Sequence, residues 1–232
     1  SNFMEHNAGA CDFRTSQSWT ILSPIEQSIK RKIEAVGVPL REWDIQINYG
    51  IKTGYNEAFI ISKAKRDEIL ENCADDSERQ RTAELIRPIL RGRDIKRYGY
   101  DKSGLYLINT HNGIKGKLER IHIEDYPAVK AHLDQYWDVI STRADRGDTP
   151  YNLRNCAYLE DFNKSQIVWI ELSDKPKFTF VENMVSLNTV FFMTGSNLRH
   201  ILGQLNSRLI TWYFHLLVHL HHVSRDAAKG ER

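Results

Sequence analysis

The chain has 232 residues, 41% of them hydrophobic and 27% charged, enough for a real core in one large domain or a domain with a small appendage. A net charge of only +2 excludes attraction to a polyanion through bulk charge, so any basic function must be local. Three scattered cysteines (Cys11, Cys73, Cys156) without a CxxC pair argue against a disulfide framework or zinc knuckle and fit a reducing cytoplasm, and neither a bilayer-length apolar run nor a signal-peptide pattern occurs.

Residues 1–18 are small and polar and read as a linker or frayed terminus. Ser23-Pro24-Ile25-Glu26 carries the signals of a helix start, with Ser at the N-cap, Pro at N1 and a Glu that completes a capping box. Ile25, Ile29 and Ile33 then share one face, and Gly37 ends the helix. Ile45, Ile47, Tyr49 and Ile51 alternate with polar residues, Ala58–Ile61 is a short apolar run, and Gly54 lies between them, a pattern that predicts a β-hairpin. Polar helices are predicted near 63–73 and 77–86, and a strand at Leu105–Ile108. A second basic turn falls at Gly113–Lys117. A helix starts at Asp125-Tyr126-Pro127 and runs to about Thr142, with Val129, Leu133, Trp137 and Ile140 as its apolar stripe. Strands follow at Ile167–Ile170, Lys177–Val181 and Thr189–Met193, with Trp169 assigned to the core, and Ser196 to about Val223 reads as a helical pair. Without regular βαβ spacing the class is α+β: a mixed, mostly antiparallel sheet with peripheral helices. The expected division is 1–18, a main domain over 19–195, and a C-terminal helical segment over 196–232 that docks onto the rest of a longer protein.

Three segments carry recognisable chemistry. The Gly54 turn offers a cation (Lys52), a hydroxyl (Thr53), a stacking ring (Tyr55) and an amide (Asn56), which together suit nucleic acid better than catalysis, although a plain polar turn has the same composition. Leu85–Tyr98 holds five cations and one acid; Arg91, Arg93, Lys96 and Arg97 suit a phosphate backbone, unless Asp94 simply pairs with Arg91 or Arg97. Pro88 and Gly92 forbid a regular helix there. The Arg143–Arg154 loop adds Arg146, Tyr151, Asn152 and Arg154, as a second nucleic-acid loop or an ordinary solvated turn.

The ordered segments IKTGYNEAFII (from Ile51) and IRPILRGRDIKRY (from Ile86) resemble the C-terminal target recognition domain of type IIG restriction–modification enzymes, the TaqI-like and Eco57I-like N6-adenine methyltransferase group. Tyr126–Lys130 through Asp148–Arg154, and Leu202–Ser207, fit the same resemblance, which covers about Trp43 to Phe214. Phage-defence methyltransferases of the BREX type carry a similar domain. The resemblance implies double-stranded DNA as partner, an upstream methyltransferase domain in the same chain, a cytoplasmic setting, and a parent enzyme that uses S-adenosylmethionine and, if it also cleaves, Mg. Ser1-Asn2-Phe3, without an initiator methionine, fits an excised piece of such a parent.

Within the sequence, the methyl-donor Gly-rich loop and the Asn-Pro-Pro-aromatic motif of that upstream domain are absent, so no cofactor and no catalysis are expected here. Asp161, Glu171 and Lys175 make the nearest approach to a nuclease site, with spacing that does not present the Glu and the Lys from one strand face. His215, His219 and His222 share a helical face that two metal-ligating imidazoles would need, but apolar neighbours favour packing or docking. The alternative to DNA reading is a structural or protein-interaction module of the same enzyme.

Overall fold

A computed structural model describes residues 22–170 and 175–217. The chain divides into two compact units: Gln46–Leu202, and a second built from the residues up to Ile45 together with those from Gly203 onward. The expected linker at 1–18 lies outside the described residues.

The larger unit is α+β. Its first sheet has the order β1 (Ile45–Tyr49), β10 (Val190–Gly195), β7 (Ser165–Ile170), β8 (Thr179–Glu182). The second runs β2 (Ile60–Ser62), β6 (Leu105–Ile108), β3 (Ile86–Leu90), β9 (Val185–Ser186), and β4 (Ile95–Lys96) with β5 (Gly99–Tyr100) forms a small ribbon. Pairing is antiparallel in the registers Phe191↔Trp169, Arg87↔Leu107 and Ile61↔Tyr106; β3 with β9 is parallel, Ile89 opposite Val185. The expected single sheet is therefore several, and the expected Ile45–Ile61 hairpin does not form. β1 and β2 join different sheets, and residues Asn56–Phe59 between them make a one-turn helix, α2. The alternating pattern placed β1, and the apolar run overlapped β2 while its first half turned helical, but neither could name the strand partners, which lie far along the chain.

Three helices pack around the second sheet. α3 (Lys63–Glu71) is capped by Ser62 and α4 (Asp76–Leu85) by Asp75, both close to expectation. α5 (Pro127–Asp134) starts at the Pro, but the predicted long helix breaks, and a single turn, α6 (Trp137–Ile140), follows. Val129, Leu133 and Ile140 are fully buried, whereas Trp137 is exposed, because the break turns it away from the stripe. Buried Glu78 ties α4 to α5: one carboxylate oxygen accepts from Ala128 N–H at 2.9 Å and the other from Ala74 N–H at 2.7 Å. Phe59, Leu90, Leu107, Ile108, Phe162 and Phe192 form the core, with the Phe162 and Phe192 rings 4.7 Å apart. Trp169, expected in that core, is half-buried and stacks on Phe191 at 5.8 Å.

In the smaller unit, α1 (Pro24–Val36) has the expected capping box: Ser23 N–H donates to Glu26 Oε2 at 2.8 Å and Glu26 N–H to Ser23 Oγ at 3.4 Å. Its isoleucine face is not buried, and Ile25 stands exposed. The C-terminal pair comprises α7 (Leu198–Leu205), most of which belongs to the larger unit, and helical residues 208–217 of the smaller one; His219 and His222 lie outside the described residues. Among the described residues no helix is long and apolar enough to cross a membrane.

Two histidines, buried His132 and half-buried His111, set an acid limit on stability. His132 Nε2 meets Ala58 O at 3.0 Å while Nδ1 has no partner, and His111 Nδ1 accepts from Gly113 N–H at 3.2 Å. Burial pushes both imidazoles below the ordinary value of 6.5. The unfolded chain then binds more protons than the folded one, so stability is complete above about pH 6.5 and falls as the pH drops. Urea midpoints measured from pH 7 to pH 5 should decline, and His132→Gln should flatten the decline. A wild-type profile that stays level across this range contradicts the assignment.

Candidate nucleic-acid interface

Gly50 has no room for a side chain: a Cβ would lie 2.2 Å from Leu187 O and 2.3 Å from Ser186 O. This close approach lets Ile51 N–H donate to Ser186 O at 2.7 Å and Asn188 N–H to Ile51 O at 3.1 Å, and it launches the 50–56 loop from the β9–β10 turn. Gly54 adopts φ +73°, and its Cα faces Asp145. The turn is thus packed against the 143–154 loop, a partnership with no local signature in sequence.

Arg143 is the clamp. Its guanidinium donates to Thr53 O at 2.6 Å, Pro150 O at 3.1 Å and Asn152 O at 2.6 Å, and sits 4.2 Å over the Phe59 ring. Burial brings its pKa down to about 10, so it stays charged at neutral pH. Asp145 supplies the second link: Lys52 Nζ lies 2.7 Å from Oδ2 and Arg154 Nη1 3.3 Å from Oδ1. Lys52, then Arg154, hold the Asp145 carboxyl below its usual value. Lys52 and Arg154 keep about half of their side-chain surface exposed (48% and 53%), so both remain reachable while paired. Arg146, exposed, donates to Ser141 O.

The other expected contacts sort by burial. Thr53 is buried and its hydroxyl donates to Asn56 Oδ1 at 2.7 Å; it orients Asn56 and does not face a ligand, a correction to its expected role. Asn56 is exposed at the start of α2, with its amide NH2 directed by that bond. Asn152 requires the same correction, since it is buried. Its Oδ1 accepts from Thr149 Oγ1 at 2.7 Å, and its Nδ2 donates to Ile121 O at 2.9 Å and His111 O at 3.3 Å. It shapes the loop from within and has no group left for a base. Tyr55 and Tyr151 flank the α5–α6 corner: Tyr55 meets Tyr136 edge-on at 6.1 Å, while Tyr151 lies 5.4 Å from Trp137 and donates to Asp134 Oδ1 at 2.6 Å.

The Arg91–Tyr98 segment forms a 3₁₀ turn and the β4–β5 ribbon, as Pro88 and Gly92 demand. Gly92 passes close to Ile170 and Thr189, so this segment touches the same 186–190 turn that seats Gly50. Arg91 grips Asp94 with two bonds of 2.7 and 2.9 Å, and Lys96 meets Asp101 at 2.6 Å. These pairs balance two of the expected phosphate-seeking charges. Arg93 is exposed, and exposed Arg97 stacks 5.5 Å over Tyr98, which holds φ +64°. Sequence reading missed Arg143 as the clamp and Asp145 as a shared counter-ion, because both act across long loops.

Of the acids nearest to a nuclease pattern, only Asp161 lies among the described residues. Asp161 is buried and occupied by Lys164 Nζ at 2.6 Å and Asn48 Nδ2 at 3.3 Å, whereas Glu171 lies outside the described residues. Among the described residues no three His, Cys, Asp or Glu are placed to share a metal ion. Cys156, half-buried, has its thiol pushed up to about 11 by burial, away from nucleophile chemistry.

The family model of the TaqI-like C-terminal specificity domain matches residues 87–225. The chain belongs to this family. The match takes in the Arg91–Tyr98 segment and the clamp loop, while the Gly54 turn of this specificity domain precedes it. Among solved structures, the domain is similar to the type IIL restriction–modification enzyme MmeI in complex with DNA, at 15% identity and a TM-score of 0.51 over 74% of this chain. It spans 22% of that chain, and at this identity the likeness is one of fold. The comparison with curated proteins returned no match.

Proposed function

We propose that this specificity domain reads duplex DNA for a restriction–modification or phage-defence enzyme that methylates adenine at N6, and that it performs no chemistry itself. The observation that carries this reading is the joined loop pair. Arg143 and Asp145 rigidify two turns so that Lys52, Arg154, Arg146 and the Asn56 amide share one solvent-facing surface. Rigid placement of cations and an amide is what groove reading needs: guanidinium and ammonium groups fix register on phosphates, and an oriented amide discriminates bases. In the proposed parent, S-adenosylmethionine and the catalytic motif belong to an upstream domain, which extrudes the adenine while this domain holds the groove. Mg enters only if that parent also cleaves, and a cytoplasmic setting follows from its substrate.

The test is the methylated motif. Sequencing methyladenine in DNA modified by the parent enzyme should give one motif, and Asn56→Ala in that enzyme should relax a single position of it. An unchanged motif at undiminished stringency overturns the assignment of Asn56.

A second reading rests on α1 of the smaller unit and the residues just after it, where Ile25, Val36 and Val38 are exposed. Such a face suits docking onto the remainder of the parent chain and is compatible with DNA reading by the larger unit.

A further inference from the structure

The larger unit also contains a cleft of about 320 Å³ that the loop surface does not use. The end of α4, the start of β3, residues 118–126 and residues 159–163 enclose it, and the volume is at the lower end for small-molecule sites. Leu85, Leu118, Ile121 and Phe162 supply apolar walls. Three polar features of this cleft lack their natural complements.

First, two guanidinium groups line it without a carboxylate partner. Arg87 donates to Asn163 Oδ1 at 2.8 Å and Phe162 O at 3.4 Å; Arg81 donates to Ser77 Oγ at 2.7 Å and Asp125 O at 3.1 Å. All four acceptors are neutral, and each guanidinium has five donors. Burial alone shifts Arg87, downward, as befits a cation with no neighbouring acid. Of the two acids at the cleft, Glu160 is taken by Lys117, and Glu84 accepts from Gln80 at 3.4 Å. Second, Asn109 is 9% exposed and its Oδ1 has no hydrogen-bond partner. A buried amide acceptor with no protein donor costs about 1–3 kcal/mol if left empty, so a donor brought into the cleft would gain a bond there. Third, His111 accepts from Gly113 through Nδ1, which leaves the neutral ring a proton on Nε2 to donate.

We propose that this cleft binds a nucleoside monophosphate unit, its phosphate on Arg87 and Arg81 and its base against the apolar walls within reach of Asn109 and His111. Paired guanidiniums suit a phosphate through charge-assisted bonds. An unfilled amide beside an imidazole donor suits the mixed donor and acceptor edge of a base. The unit has two possible sources, a free nucleotide or one residue of a nucleic-acid strand, and the same contacts serve both.

Calorimetric titration of the 232-residue chain with adenosine 5′-monophosphate should give one saturable site, with adenosine and inorganic phosphate each at least about tenfold weaker. Arg87→Gln should weaken the nucleotide by about tenfold. Leu118 sits at the mouth and is 37% exposed, so Leu118→Trp should block binding without disturbing the fold. A short single-stranded oligonucleotide that displaces the nucleotide assigns the site to a strand; failure to displace assigns it to the free nucleotide. Lys63→Glu, exposed on α3 and not part of the cleft lining, should leave the titration unchanged. Absence of binding, or equal binding in Arg87→Gln and Leu118→Trp, overturns the proposal.

Discussion

Replacing Arg143 by alanine is expected to cost about 3 kcal/mol of folding stability and to disorganise both loops of the proposed DNA surface. The guanidinium is buried and serves the carbonyls of Thr53, Pro150 and Asn152. Truncation strands those acceptors, each worth about 1–3 kcal/mol when left without a donor, though water entering the space recovers part of the loss. The stacking on Phe59 goes as well. Lysine keeps the charge but cannot span three acceptors with one planar fork, so Arg143→Lys should fall between alanine and wild type. Urea denaturation gives the number. A loss below about 1 kcal/mol, with DNA affinity of the parent enzyme intact, would remove Arg143 from the centre of the account.

The second large effect concerns the charges that Asp145 holds. Lys52→Glu combined with Arg154→Glu, in the intact parent enzyme, should lower duplex affinity by about a hundredfold and reduce the salt slope by about two. The mechanism is electrostatic: each cation facing a phosphate releases about one counterion, and reversal adds repulsion. Asp145→Asn should act in the opposite direction. Its carboxylate offsets Lys52 and Arg154 from 2.7 and 3.3 Å, and its neutralisation raises the local positive charge while Arg143 still holds the two turns together. Affinity measured against salt from 50 to 200 mM separates the two variants. Parallel lines for wild type and the double reversal would mean that neither residue meets a phosphate.

These expectations show how much of the chain its sequence reveals. Local signals were legible. The Ser23–Glu26 capping box, the Pro127 start of α5 and the Gly54 turn all depend on residues within four positions of one another. Partners at long range were not. β1 alternates like a hairpin strand, yet it pairs with β10 well over a hundred residues on, because the Gly50 backbone fits against Ser186–Leu187. Residue type was similarly incomplete for the site. Asn56 and Asn152 look alike in sequence, but Asn152 is enclosed by Thr149, His111 and Ile121, whereas Asn56 lies exposed. Of the cations, Arg91 pairs with Asp94, a partner three residues away, and Lys52 with Asp145, a partner that only the fold supplies.

The specificity-domain family accounts for the architecture, and the clamp explains how two distant loops in this chain become one surface. Cross-linking tests that surface most directly. A photo-activated side chain at position 154 of the parent enzyme should capture duplex DNA, and the same group at Lys63, exposed on α3, should not. Capture from position 63 with none from 154 would contradict the account.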